Sequence, residues 1–403
     1  NAHPNDIEDL SGFRPLDRVQ HPKIDSALWD TATIGENLGA DAALEFAKKN
    51  SLKTTGHSIH VEVQAHTDWI ELAKKDVQSL GGIVYSQFDN QLSVQLPSSK
   101  IIALAQSSYV VAIHRTTQPI PLAIASEGVK TIKADRWHSL GLKGRGIKIG
   151  VIDLGFSGYQ DLLGVELPQS VTARSFRSDG DITGGGEVHG TAVAEIVYDV
   201  APEAQLYLVN FSDLGELNNA VDWLISQGVS VISASFGWLV DGPGDGSGPH
   251  NEIIARANKA GVLWVNAAGN SGARHWSGVF SDTDNDGWHN FSGSDEGNTI
   301  SFNQNDHVYI GMRWNDWTER NQDYDLYLYR GNSVIGSGIN RQTGSLPPKE
   351  EIEIDIPESG QYYVAIYRKT ATKNVDFDLF IHIDSPGCIA EQALVDHPNR
   401  TNT

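Results

Sequence analysis

Between residues 147 and 267, short apolar runs at 147–152, 205–211, 229–235 and 262–267 alternate with helical-period stretches at 189–200, 216–227 and 251–260. Strands that read as continuous apolar runs need cover on both faces, which helices of ten or more residues supply in a parallel sheet. The middle of the chain is therefore expected to be α/β, a parallel sheet with flanking helices. Upstream, strand and helix signals at 58–64, 68–80, 82–88, 92–96, 99–107 and 110–114 give the order βαββαβ, an α+β ferredoxin-like unit. Past Asn270 the helical period stops. Alternating segments at 308–312, 325–329, 351–356, 361–366 and 376–381 predict an all-β sandwich of jelly-roll-like type.

The expected organisation is a lead-in over 1–56, the βαββαβ domain over 57–116, the α/β core over 117–276, the sandwich over 277–385 and a tail over 386–403. A length of 403 residues suits several cores. Thirty Lys plus Arg against 51 Asp plus Glu leave a net charge of -21. That balance argues against nucleic acid or an anionic membrane as main partner. The single cysteine, Cys388, excludes an internal disulfide and reads as a small buried hydrophobe. No apolar stretch reaches the roughly 18 to 20 residues of a membrane helix, so the chain as given is expected to be soluble.

Three residues stand where chemistry collects in such a fold. Asp153 ends the run Gly150-Val-Ile-Asp153. A carboxylate at a strand tip faces the crevice of an open α/β sheet, or else caps the following turn. His189 opens a helix beside Gly190, after the flexible run 184–186. An imidazole there accepts a proton on one nitrogen while a carboxylate holds the other, or is a plain surface histidine. Asn270 closes another apolar strand next to Gly269. Its amide either donates to a developing oxyanion or belongs to a turn.

Taken together, Gly150-Val-Ile-Asp153, then His189-Gly-Thr, then Ala268-Gly-Asn270 resemble the subtilisin-like serine peptidases, in that family's chain order. The resemblance covers about 128–270, and residues 231–237 match the strand that lines the family's peptide cleft. It implies Asp153 as orienting carboxylate, His189 as general base and Asn270 as oxyanion donor. It further implies backbone contacts to substrate from Ser235, Phe236 and Gly237, and hydrolysis of peptide bonds by acyl transfer. The βαββαβ unit resembles the family's propeptide, which implies folding help and inhibition until cleavage near 115–127; otherwise it is a permanent accessory domain. Secretion is implied as well.

The family's Gly-Thr-Ser motif does not occur in these 403 residues; the one Gly-Thr pair, Gly190-Thr191, is followed by Ala192. The serine is thus expected on a C-terminal fragment outside this chain, which would stay bound because an apolar sheet edge is rarely left bare. Three origins are open: a cleaved precursor, a truncated stretch, or an inactive relative that binds peptide or glycan. For the last, Trp314, Trp317, Tyr327 and Tyr329 of the sandwich are the candidate surface. Finally, Asp282-Thr-Asp284-Asn-Asp286-Gly has the beginning of a calcium loop, with Gly293 where an EF-hand carries Glu. Asp282, Asp284 and Asp286 read either as Ca2+ ligands or as a solvated acidic turn; no organic cofactor is expected.

Overall fold

The computed structural model describes residues 21–116, 120–121, 128–271 and 275–384. Cys388, the tail, the first twenty residues and most of the connector around 117–127 lie outside them. Contacts divide the chain into two compact units, one of 1–116, 239–244 and 271–403, the other of 117–238 and 245–270.

The first unit opens with helices α1 (Ser26–Leu38) and α2 (Ala40–Lys49), then β1 (Thr54–Thr55), β2 (Ser58–Ala65), α3 (Ile70–Ser79), β3 (Ile83–Phe88), β4 (Gln91–Pro97), α4 (Ile101–Ala105) and β5 (Val110–Arg115). Antiparallel pairing gives the order β1-β2-β4-β3, with β5 on β2 as well. The lead-in expectation is corrected here. Asp25 caps α1 by accepting from the Ala27 and Leu28 amides, and Gly39, at φ 95°, separates α1 from α2. Leu28, Ala32 and Ala47 enter the same core as Val61, Leu92 and Val94 of the sheet. Packing on the sheet they cover, more than local propensity, is what fixes these two helices.

The second unit contains β6 (Ile120–Pro121), α5 (Gly128–Thr131), α6 (Ala134–Ser139), β7 (Lys148–Asp153), β8 (Thr172–Ser175), α7 (His189–Val200), β9 (Gln205–Asn210), α8 (Leu214–Ser226), β10 (Val231–Ala234), β11 (Phe236–Gly237), α9 (Pro249–Lys259) and β12 (Leu263–Asn266). The five longer strands form a parallel sheet in the order β12-β10-β7-β9-β8. Parallel pairing brings the carboxyl ends of β7, β10 and β12 to one edge. Val151 and Leu208 pack with Val193 and Ala194 of α7 in one core cluster. Asp213 caps α8 through the Glu216 amide at 2.9 Å, and Pro249 stands in the first turn of α9, where its missing N–H costs nothing.

Back in the first unit come β13 (His275–Val279), β14 (Asn298–Phe302), β15 (His307–Trp314), β16 (Tyr324–Arg330), β17 (Ser333–Gly338), β18 (Lys349–Asp355), β19 (Gly360–Arg368) and β20 (Asp376–Asp384). Two four-stranded antiparallel sheets, β13-β20-β15-β18 and β14-β19-β16-β17, enclose a core that includes Ile310, Leu379, Leu326 and Val364. The contact boundary falls between Asn270 and Ser271, ahead of the expected 277, because β13 begins at His275. Trp314, Tyr327 and Tyr329 are buried, and Trp317 is half-buried. The aromatic surface suggested for peptide or glycan is therefore mostly interior; Tyr327 and Tyr329 pack under Trp288 in a second, smaller cluster.

Candidate functional site

Asp153 is the last residue of β7 and is fully buried. Its two carboxylate oxygens stand 3.0 and 2.9 Å from His189 Nδ1, and Oδ1 also accepts from the Leu154 amide at 2.8 Å. Burial pushes the Asp153 carboxyl up, and the bond to His189 pulls it back down. With Nδ1–H donating to Asp153, the ring is fixed in the tautomer whose Nε2 carries the lone pair. A base oriented in this way can take a proton from a nucleophile and return it to a leaving group.

The backbone around the pair explains its residue types. A Cβ at position 190 would lie 2.4 Å from the Gly155 carbonyl oxygen and 2.7 Å from Asp153 Cβ, so only glycine lets α7 start against β7. The Gly190 amide in turn donates to Gly155 O at 3.1 Å. Thr191 Oγ1 donates to the Ser157 carbonyl at 2.9 Å, and the His189 amide donates to Glu187 Oε1 at 2.8 Å. Each residue of His189-Gly-Thr thus has its own contact in the arrangement.

The structure joins Asp153 with His189, while Asn270 and residues 235–237 follow the carboxyl ends of β12 and β10 in the chain. Asn270 is exposed, four residues beyond the end of β12 and just after Gly269 at φ 87°. Ser235 and Phe236 are buried and Gly237 is half-buried, directly after β10. The strand of Phe236 and Gly237, β11, pairs antiparallel with β6 of the connector through Phe236↔Pro121 and Gly237↔Ile120. Sequence reasoning missed this pairing, since a two-residue strand gives no periodic signal.

Asp282, Asp284 and Asp286 come together: one carboxylate oxygen of each lies within 4.8 Å of the others. Asp282 accepts from the Asn285 and Gly287 amides at 2.7 and 3.1 Å, and Asp286 from the Trp288 amide at 2.9 Å. Three hard oxygen donors on a folded turn suit Ca2+ rather than a softer metal.

The Subtilase family model matches residues 144–332 of the chain. Subtilisin DY of Bacillus licheniformis is 34% identical over 157 residues, which cover 36% of this chain and 55% of that protein. Subtilisin E of Bacillus subtilis strain 168 is 30% identical over 226 residues, covering 50% of this chain and 55% of that protein. The chain spans about half the length of the curated relatives it matches. Among solved structures, the epidermin leader peptide processing serine protease of Staphylococcus aureus, as its S393A mutant, matches with a TM-score of 0.39. It is 17% identical, and the match covers 54% of this chain and 62% of that one. Among the described residues, no helix is long and apolar enough to cross a membrane.

Proposed function

From the match of residues 144–332 to the Subtilase family model, we propose that this chain belongs to the subtilisin-like serine peptidases and supplies two members of an Asp-His-Ser triad to a secreted endopeptidase. The observation that carries the reading is the carboxylate of Asp153 closed on His189 Nδ1 at a sheet edge. In this reading a serine outside residues 1–403 attacks the peptide carbonyl and His189 takes its proton. Asp153 holds the imidazole and stabilises the imidazolium, and Asn270 donates to the oxyanion. Substrate lies antiparallel on β11, using the backbone of Ser235, Phe236 and Gly237. The pairing of β6 with β11 supports an inhibitory role for the N-terminal domain, because the connector already fills that position with its own main chain.

The serine segment is proposed to pack on β12. That strand pairs on one side only among the described strands, with β10, and its Leu263 and Val265 side chains are 60% and 50% exposed. The test is a serine-directed fluorophosphonate, read by intact mass after denaturation. Label is expected on a co-purifying polypeptide or on sequence beyond residue 403. A label within residues 1–403 would overturn the assignment, and no label together with peptide binding would favour an inactive relative.

Asp282, Asp284 and Asp286 are proposed to hold Ca2+, which would offset their mutual repulsion and fix the turn. Terbium is expected to bind there with luminescence sensitised by Trp288. Asp284→Asn should weaken it at least tenfold, since the lost carboxylate is one of three. Equal affinity in the variant would rule the site out.

A further inference from the structure

The segment that follows β11 is tied to the sandwich. Between β11 and α9 the chain reads Trp238-Leu-Val-Asp-Gly-Pro-Gly-Asp-Gly-Ser-Gly248, with no helix or strand. So many glycines leave the backbone little preference of its own, and its place is set by what it touches. By contacts, Leu239–Gly244 group with the sandwich and not with the α/β unit, whose β11 and α9 precede and follow them.

Two cations of the sandwich make the junction. Arg313 of β15 donates from Nε to Asp378 Oδ2 at 3.0 Å and from Nη1 to the Gly242 carbonyl, also at 3.0 Å. Lys349 of β18 bonds Asp241 and also Glu351 Oε2, the latter at 2.8 Å. Arg313 stands opposite Lys349 on one neighbouring strand and Asp378 on the other, so the three side chains share one row and one face of the sheet. The guanidinium also covers Gly244, at φ 75°, where a Cβ would lie 2.4 Å from Nη2.

Exposed ion pairs of this size hold little. Here the side chains of Arg313, Lys349 and Asp241 are only 19%, 10% and 16% exposed, and Asp378 pre-sets the guanidinium, so water competes poorly for the bonds. Asp241 stands four residues past Gly237, a reach of at most roughly 14 Å. At its other end the stretch 235–238 continues from β10, which pairs with both β7 and β12. Once β6 is displaced by a peptide, these two ends are what keep 235–238 extended.

We propose that the sandwich is a positioning element for the substrate strand, Arg313 and Lys349 holding 241–244 and thereby keeping 235–238 extended for main-chain pairing. The proposal rests on reading β11 as that strand, so one arm of its test needs no catalysis. Amide hydrogen exchange of the full chain is read by mass spectrometry on peptic fragments covering 231–248. Lys349→Met, Arg313→Gln and Asp241→Asn should each speed exchange at 235–242 by about tenfold or more, with β7 and β9 unchanged, and Lys349→Arg should retain most of the protection. Asp241→Asn alters the loop alone and leaves Lys349 on Glu351, so it gives the reading even where a change on β15 or β18 disturbs the sandwich. The second arm uses a polypeptide that includes the serine segment. There the same variants should raise KM for an extended peptide by about fivefold or more and leave kcat for a small amino-acid ester within about twofold. Exchange at 235–242 that stays at the parent rate in Asp241→Asn, or an equal loss on both substrates, would overturn the proposal. Faster exchange in the variants, with no hydrolysis even by the parent, would support the tether and count against the peptidase reading instead.

Discussion

His189→Ala, made in a polypeptide that includes the serine segment, is expected to lower kcat by about 10⁴-fold or more while the melting temperature stays close to that of the parent. The size follows from the role. In the proposed mechanism the imidazole takes and returns the proton, and without it the remaining binding and oxyanion contacts would supply only a small part of the rate enhancement. Asp153→Asn should fall less far, because an amide still fills the space but favours the wrong tautomer of the ring. Both variants are checked by steady-state hydrolysis of a peptide substrate alongside thermal unfolding. A His189→Ala enzyme that keeps its kcat would remove His189 from the mechanism.

The second large effect concerns stability. Asp325 lies fully buried on β16, its Oδ2 accepting from Tyr327 at 3.0 Å. Burial, followed by the charge of Asp323, pushes its carboxyl up from 3.8 to about 7. The folded state therefore keeps the proton over a range in which the unfolded chain releases it. Stability from this group is full below pH ~3.8, falls as pH rises towards ~7, and stays reduced above that. Asp325→Asn removes the penalty without emptying the space. It should stabilise the full chain by about 2 to 4 kcal/mol at pH 8 and by much less at pH 4. Urea unfolding at the two pH values decides the matter. A variant destabilised at pH 8 would mean that Asp325 is ionised in the fold and held by a cation. Glu350, also fully buried and pushed well up by burial, puts a second carboxyl in the same core domain.

The α/β unit was legible because its signals are local. Buried parallel strands must be apolar along their whole length, and the glycines beside Asp153 and His189 mark a close approach that no other residue permits. Helix α7 begins and ends where its period predicts, at His189 and Val200. The sandwich was less legible. Its β14 and β17 are short, and β17 reads Ser333-Val-Ile-Gly-Ser-Gly338, with too few apolar residues to alternate visibly. Asp325 and Glu350 look like solvent-facing members of alternating strands. Asp325 lies across the sheet from Tyr367 and accepts from Tyr327, both of which pack in one cluster with the distant Trp288. Helix α2 shows as a helix-like stretch at 42–49, whereas helix α1 and the contact from Ser26 to Asn340 depend on partners far along the chain and leave no trace in a local window. At the site, the pairing of Asp153 with His189 could be expected from motif and order, whereas that of β6 with β11 is visible only in three dimensions.

The contact between β6 and β11 has one more consequence. It is made by main-chain groups over only two residue pairs. Main-chain ladders are indifferent to side-chain identity, so point substitutions in the connector should spare this contact, whereas proline in β11 at Gly237 would interrupt it. For evolution this is permissive. If the connector is cut as the family resemblance implies, its sequence can drift to suit the protease that cuts it while the ladder between β6 and β11 is preserved.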